Sequence, residues 1–322
     1  MPNSQTVSIQ RCNSYDRTQV HEAVQTSIDL LGGIESFIKR GDRVLLKPNL
    51  LFGRPPEKAV TTHPAVIEAA ARLALDCGAK VFVGDSPPIS SAKRTCARCG
   101  VKEAADRLGL TILELNHPTE NGWHAQSKTA GILTPPISGV LQDMDFIINL
   151  PKLKTHQQLY MTGAVKNLFG CVSGRRKAYW HFKLRSSVDD FAAMLLALHE
   201  KIAPGLTIVD GIVGMEGMGP GKGVPKSLGL IVSGADGIAV DCVIADLLGV
   251  DIQKNFILRK AQELGFSGAD LQSITLAGES IEKAAVPSIE FPELTPIGFS
   301  LLHLIKGMMK YIAHRTHRRR LS

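Results

Sequence analysis

In "RVLLKPN", Arg43–Asn49, three branched apolar residues run without interruption and then give way at once to Lys47, Pro48 and Asn49. A strand with one wet face would alternate apolar and polar residues. A short continuous apolar run closed by a turn residue fits a strand covered on both faces, as in a parallel sheet. The pattern recurs in both directions along the chain. "KVFVGD" (residues 80–85), "LTILEL" (110–115), "DFIINL" (145–150), "LTIVD" (206–210) and "SLGLIVS" (227–233) read as further strands, with "VSIQ" (7–10) before them. Between them, helical spacing predicts helices over Thr18–Lys39, Pro64–Asp76, Thr95–Leu108, Ser187–Ile202 and Gly237–Leu248, with a short one starting near Gly163. Strands alternating with helices give an α/β fold, a mostly parallel sheet covered by helices on both faces, in one module or two lobes. Residues 1–293 form that module, with an insertion expected over Asn116–Gly139 and terminal β structure after Ser273.

Composition narrows the function classes. Apolar residues make up 44% and charged residues 21%, so the chain folds rather than remaining disordered. The net charge is +7, but six of the 37 basic residues follow Glu293 and no acid does, which leaves the body close to neutral. With only 5% aromatic residues, nucleic acid is not an expected partner. The start carries no secretory pattern, and no apolar run is long enough to span a bilayer. The six scattered cysteines then read as free thiols, in a cytoplasmic protein. Cys96-Ala97-Arg98-Cys99 stands alone, without the second pair a four-ligand site needs, and reads as two unrelated thiols near a surface.

In open parallel sheets ligands sit outside the carboxyl ends of the strands. Four predicted strands deliver Lys47 and Asn49; Asp85 and Ser86; Lys152, Lys154 and His156; and Asp210 to that edge. Cations and carboxylates at equivalent positions suit a small anionic ligand, a carboxylate or phosphate. Thr162 and Gly163 open a helix whose free N–H groups favour negative charge, and Lys166 and Asn167 follow in its first turns. "DGIVGMEGMGPGKG", Asp210–Gly223, holds six glycines but fails both nucleotide-loop patterns, so it reads as a flexible loop carrying Glu216 and Lys222. His63, ahead of Pro64, joins the ligand-binding set. His156 is the expected general acid/base, with Asp85, Asp210 or Glu216 as a base. A divalent metal, if one is used, falls to Asp85, Asp210 and Asp241.

The tail, residues 294–322, carries an apolar stripe of Ile297, Leu301, Leu304, Ile305, Met308 and Ile312 opposite His303, Lys306, Lys310 and His314. A basic amphipathic helix of this kind packs on the body or lies on an anionic membrane, which makes peripheral contact at the inner membrane surface a second expected location.

"VLLKPNLL", "THPAVIEAA", "VGDSP", "LPKLKTH", "TGAVKNLFG" and "VDGIVGMEGMGP", in this order over roughly Val44–Gly249, resemble the domain-of-unknown-function family three-six-two. The resemblance implies an α/β module often associated with iron–sulfur proteins. This chain lacks the four-cysteine ferredoxin run, so no iron–sulfur cluster is expected here. More distantly, the segment from Lys154 to Gly170 is similar to a His- and Lys-bearing segment of the nickel-dependent lactate racemase family. That likeness implies chemistry on a small hydroxy acid near His156 and Lys166. Three functions stay open: an isomerase or redox-linked enzyme on a small anion, an electron-transfer accessory, or a membrane-surface module.

Overall fold

The computed structural model describes residues 5–119, 127–286 and 288–295. β1 (Thr6–Arg11) leads into α1 (Arg17–Asp29), whose first N–H groups are capped by the Asp16 carboxylate. α1 stops ten residues before Lys39, because Gly32 and Gly33 adopt φ of 103° and 82°, a region open mainly to glycine. β2 (Arg43–Pro48), α2 (Pro64–Asp76) and β3 (Lys80–Asp85) follow. The helix predicted over Thr95–Leu108 is two, α3 (Ala92–Arg98) and α4 (Val101–Arg107), separated at Gly100 with φ 76°. After β4 (Thr111–Glu114), β5 (Pro118–Thr119) and β6 (Ile137–Ser138) pair antiparallel near the ends of the segment expected to be inserted.

β7 (Phe146–Leu150) and β8 (Lys152–His156) are separated by Pro151 alone, and β9 (Tyr160–Thr162) folds back on β8. The remaining elements are α5 (Ala164–Asn167), α6 (Gly174–Lys183), α7 (Val188–Ile202), β10 (Leu206–Glu216), β11 (Val224–Gly234), α8 (Gly237–Leu247), α9 (Phe256–Glu263), β12 (Thr275–Gly278) and α10 (Ile281–Ala284).

The sheet runs β12-β1-β11-β10-β7-β2-β3-β4. From β10 to β4 every pairing on this path is parallel, while β11 lies antiparallel to both β10 and β1. Side chains alternate between two cores. Leu45 joins the one built with α7, α8 and α9, and Val44 and Leu46 join the one built with α1, α2, α3 and α4. All three are fully buried, at about 2 kcal/mol each for a side chain of this size.

Two segments expected to be loops are strand. Residues 152–156 form β8, buried throughout, and period-two alternation puts Lys152, Lys154 and His156 on one side and Leu153 and Thr155 on the other. β10 continues past Asp210 to Glu216, with a register shift between Gly211 and Val213. That irregularity lets one long strand pair with β7 at its start and with β8 further on, Asp210 opposite Lys152 and Met215 opposite Lys154. The first half of the glycine-rich stretch, Asp210–Glu216, is therefore a β-hairpin arm, and residues 217–223 are its turn.

The C-terminal segment straps this region. Phe291 stacks on Tyr160 at 4.4 Å, Gly217 N–H donates to Glu290 O at 2.8 Å, and Thr295 N–H donates to Gln157 O at 2.7 Å. The expected amphipathic helix lies outside the described residues from position 296 onward.

Candidate functional site

β2, β3, β8 and β10 bring their polar residues together at one edge of the sheet, in two clusters. The first is electrically closed. Lys152 Nζ donates to Asp210 Oδ2 at 2.9 Å and to the Tyr15 hydroxyl at 2.6 Å, and that hydroxyl donates to Asp210 Oδ1 at 2.7 Å. His63 N–H supplies another donor to Asp210 Oδ2 at 2.8 Å, and its ring stacks on Tyr15 at 3.6 Å. His63 is also the N-cap of α2, its Nδ1 accepting from Ala65 N–H at 3.2 Å. Burial holds its pKa down at about 4, so the ring is neutral. Burial and Asp210 together push the Tyr15 hydroxyl far up, which keeps its proton. One cation and one carboxylate cancel here.

The second cluster does not cancel. Lys47, fully buried, lies 3.0 Å from Asp85 Oδ1 and donates to Pro48 O at 2.7 Å. Asp85 is already saturated, its Oδ2 accepting from Leu50 N–H at 2.8 Å and its Oδ1 from Ser86 N–H at 2.9 Å. Lys154 Nζ donates to Asn49 Oδ1 at 3.0 Å and Val60 O at 2.8 Å. Asn49 and Lys47 both reach Asn167 Oδ1, at 3.2 and 3.4 Å, while Asn167 Nδ2 donates to Lys47 O and Asn149 Oδ1. Asn167 is the hub that ties the cluster together. Lys177 donates to Ser86 O. Lys166 lies over the rings of Phe169 and Phe191, at 4.7 and 5.8 Å.

Crowded amines repel one another, and burial removes the water that would screen them. Burial first, then neighbouring lysines, lower Lys154 to about 7 and Lys166 to about 7. Lys177 falls to about 8 for the same reasons, with Asp85 opposing. His156 is held well below its ordinary value by burial and by Lys166, His181 and Lys154. It is therefore a neutral imidazole. Its Nδ1 accepts from Gln158 N–H at 3.0 Å, which places the proton on Nε2. As arranged, His156 offers a donor rather than a base.

Other expectations are redirected. The helix start at Gly163 already holds an anion, the carboxylate of Asp241, which accepts from Ala164 N–H at 2.6 Å and Val165 N–H at 3.0 Å. A Cβ on Gly163 would stand 1.9 Å from Asp241 Oδ1, so this glycine makes room for a side chain of the protein itself. Burial, against those two N–H groups, raises Asp241 to about 7. Thr162 belongs to β9 and donates to Lys154 O. Glu216 turns away, to Glu290 N–H at 3.0 Å and Lys226 at 3.4 Å, and Lys222 is exposed on the hairpin turn. Asp85, Asp210 and Asp241 each spend both oxygens on protein donors, in separate places. They do not form a metal-ligand set, and no group of three or more possible ligands gathers among the described residues. Cys96 and Cys99, expected near a surface, are buried, and burial raises both thiols, the reverse of a redox-poised pair.

Sequence reasoning missed Tyr15, Asn149, Lys177 and His181. Lys177 and His181 stand four apart in "GRRKAYWHFK", the spacing that puts two side chains on one helix face. Tyr15 sits in the turn before α1, where nothing in the local pattern marks it.

The sequence profile described as "Domain of unknown function (DUF362)" matches residues 44–246. The thylakoid-associated protein sll1697 of Synechocystis sp. (strain ATCC 27184 / PCC 6803 / Kazusa) is 36% identical over 307 residues, covering 95% of this chain and 94% of the relative. Among solved structures, the lactate racemase apoprotein from Thermoanaerobacterium thermosaccharolyticum aligns with a TM-score of 0.45 and 9% identity, over 74% of this chain and 56% of the other. That likeness is too remote to transfer the role of any residue. The profile match and the long alignment with the thylakoid-associated relative agree on one conclusion: the chain belongs to the DUF362 family.

Proposed function

We propose that the second cluster binds a small anion, a carboxylate or phosphate, as the first act of an enzyme. One observation carries this reading: the amines of Lys47, Lys154 and Lys177 gather around a single carboxylate, Asp85, whose oxygens are already engaged, and Lys166 adds a further amine beside Lys47 and Lys177. Burying like charges without a counter-ion is costly, and a structural role would be met more cheaply by apolar residues. An incoming anion supplies the missing charge and restores the proton that Lys154 has partly given up. Lys166 and Lys177 are only half-buried and mark the open side. Asn49 and Asn167 hold the amines in register, and the Nε2–H of His156 donates to an oxygen of the ligand. The test is thermal unfolding with inorganic phosphate, sulfate, lactate and malonate at pH 6.5. At least one of them raises the melting temperature of the parent, and Lys154→Met and Lys166→Met lose that response while Lys222→Met keeps it. Equal responses in all four proteins would overturn the reading.

We infer, second, that the tail brings this site to an anionic membrane surface. The basic, acid-free sequence after Glu293 supports this, as does the thylakoid-associated name of the relative. Among the described residues no helix is long and apolar enough to cross a membrane. Full-length protein should co-sediment with phosphatidylglycerol vesicles and less with phosphatidylcholine. The triple variant Arg318→Gln, Arg319→Gln, Arg320→Gln should lose most of the difference; unchanged binding ends the idea.

A further inference from the structure

Five lysine amines meet at the sheet edge, and four are engaged by oxygen. Lys47 has Asp85, Lys152 has Asp210, Lys154 has Asn49 and Val60, and Lys177 has Ser86. Lys166 has no hydrogen-bond acceptor among the described residues. Its contacts are the faces of Phe169 and Phe191. His181, four residues along α6 from Lys177, packs against both of those rings, at 5.5 and 4.6 Å. The ring faces attract an ammonium, but no oxygen completes its shell, so of the five amines Lys166 is the one least tied to its proton and most free to expose a lone pair. The half-buried position leaves it reachable.

We propose that Lys166 is a nucleophile that forms an imine with a small 2-oxo acid held in the cluster. This rests on the anion-binding reading above and names its substrate class. The carboxylate of the oxo acid sits among Lys47, Lys154 and Lys177, which presents the neighbouring carbonyl carbon to Lys166. The nitrogen lone pair forms a bond to that carbon while the carbonyl π pair moves to oxygen, which takes a proton. The nitrogen then loses a proton, and the hydroxyl leaves as water on receiving one from a neighbouring ammonium. The N=C bond that results is already protonated, because the nitrogen keeps its second hydrogen, and it draws electrons from the adjacent carbon. No oxidant or reductant is consumed. The supporting electrostatics agree: Lys166 is held near 7, so a large share is the free amine at neutral pH, and Lys177, near 8, is a suitable proton donor.

The experiment treats full-length protein with pyruvate and cyanoborohydride at pH 7, followed by intact mass measurement and peptide mapping. Expected is a single reductively aminated pyruvate on Lys166, formed at least about tenfold faster than on any surface lysine. Lys166→Arg abolishes the adduct but keeps the thermal shift with pyruvate, since the charge remains. Lys154→Arg keeps the adduct. No adduct, or one spread equally over surface lysines, overturns the imine. A pyruvate shift in that same sample shows the anion site intact, and a missing shift takes the anion reading down with it.

Discussion

Two lysines two residues apart on β8 meet opposite fates. Lys152 finds Asp210, Tyr15 and the stacked ring of His63, and its charge is cancelled where it stands. Lys154 finds an asparagine, a carbonyl and more lysines. Both are buried, and both come from the same alternating strand. A buried cation with its own carboxylate is architecture. A buried amine crowded by other amines, with no hydrogen bond to a carboxylate among the described residues, is left uncompensated. The closed cluster fixes where β8 and β10 lie, and the open one sits on that foundation.

The comparison is broken most directly at the closed pair. Lys152→Ala or Asp210→Ala should each destabilise the protein by about 3–5 kcal/mol in urea unfolding, because each strands the partner charge. Lys152→Met with Asp210→Leu together should cost much less than either alone; singles costing under about 1 kcal/mol would show that the pair holds nothing. Gly163→Ala follows, at about 2–4 kcal/mol, since its methyl group would displace Asp241 from the start of α5.

The open cluster should behave in the opposite sense. In the unfolded chain Lys166 titrates near 10.5, and in the folded chain near 7. Below pH 7 both states hold the proton, and the full cost of the buried charge is present. Between 7 and 10.5 the unfolded chain holds more protons, so stability rises with pH. Lys166→Met should therefore stabilise the ligand-free protein at pH 6 by about 1–2 kcal/mol, with the gain fading toward pH 10. Lys154, also held near 7, links protonation to binding. Anion affinity should fall about tenfold, or ~1.4 kcal/mol, between pH 6 and 9, and calorimetry at pH 8 in two buffers should register proton uptake. The smallest effects belong to Glu216→Gln and Lys222→Met, within about 0.5 kcal/mol and silent in ligand response.

The layered α/β fold was legible because continuous apolar runs such as Val44–Leu46 can be buried on both faces only in a covered sheet. The edge that carries Lys47, Asp85, Lys154, His156 and Asp210 followed from that geometry, but the engagement of Asp210 in a cluster of its own with Lys152 and Tyr15 did not. β8 was not legible, because "KLKTH" has the period of a strand but the polarity of a loop. Only a cluster of this kind makes lysines a buried face. Glycine spacing misled in the same way over Asp210–Glu216, which is strand with Gly214 packed against Leu228, while residues 217–223 are the loop it implied. Asp241 was readable as a carboxylate but not as the occupant of the α5 amides, since its 77-residue separation from Ala164 leaves no local trace.

The bond from Thr295 to Gln157 has a mechanical meaning. It anchors the outgoing chain to the residue beside His156, on the turn that joins β8 to β9. Any tug on the chain past Thr295, whether from a bilayer, a fused domain or a purification tag, is transmitted first to the ribbon carrying Lys154 and His156. What is attached to this end of the protein is thus a handle on the strand that carries Lys154 and His156.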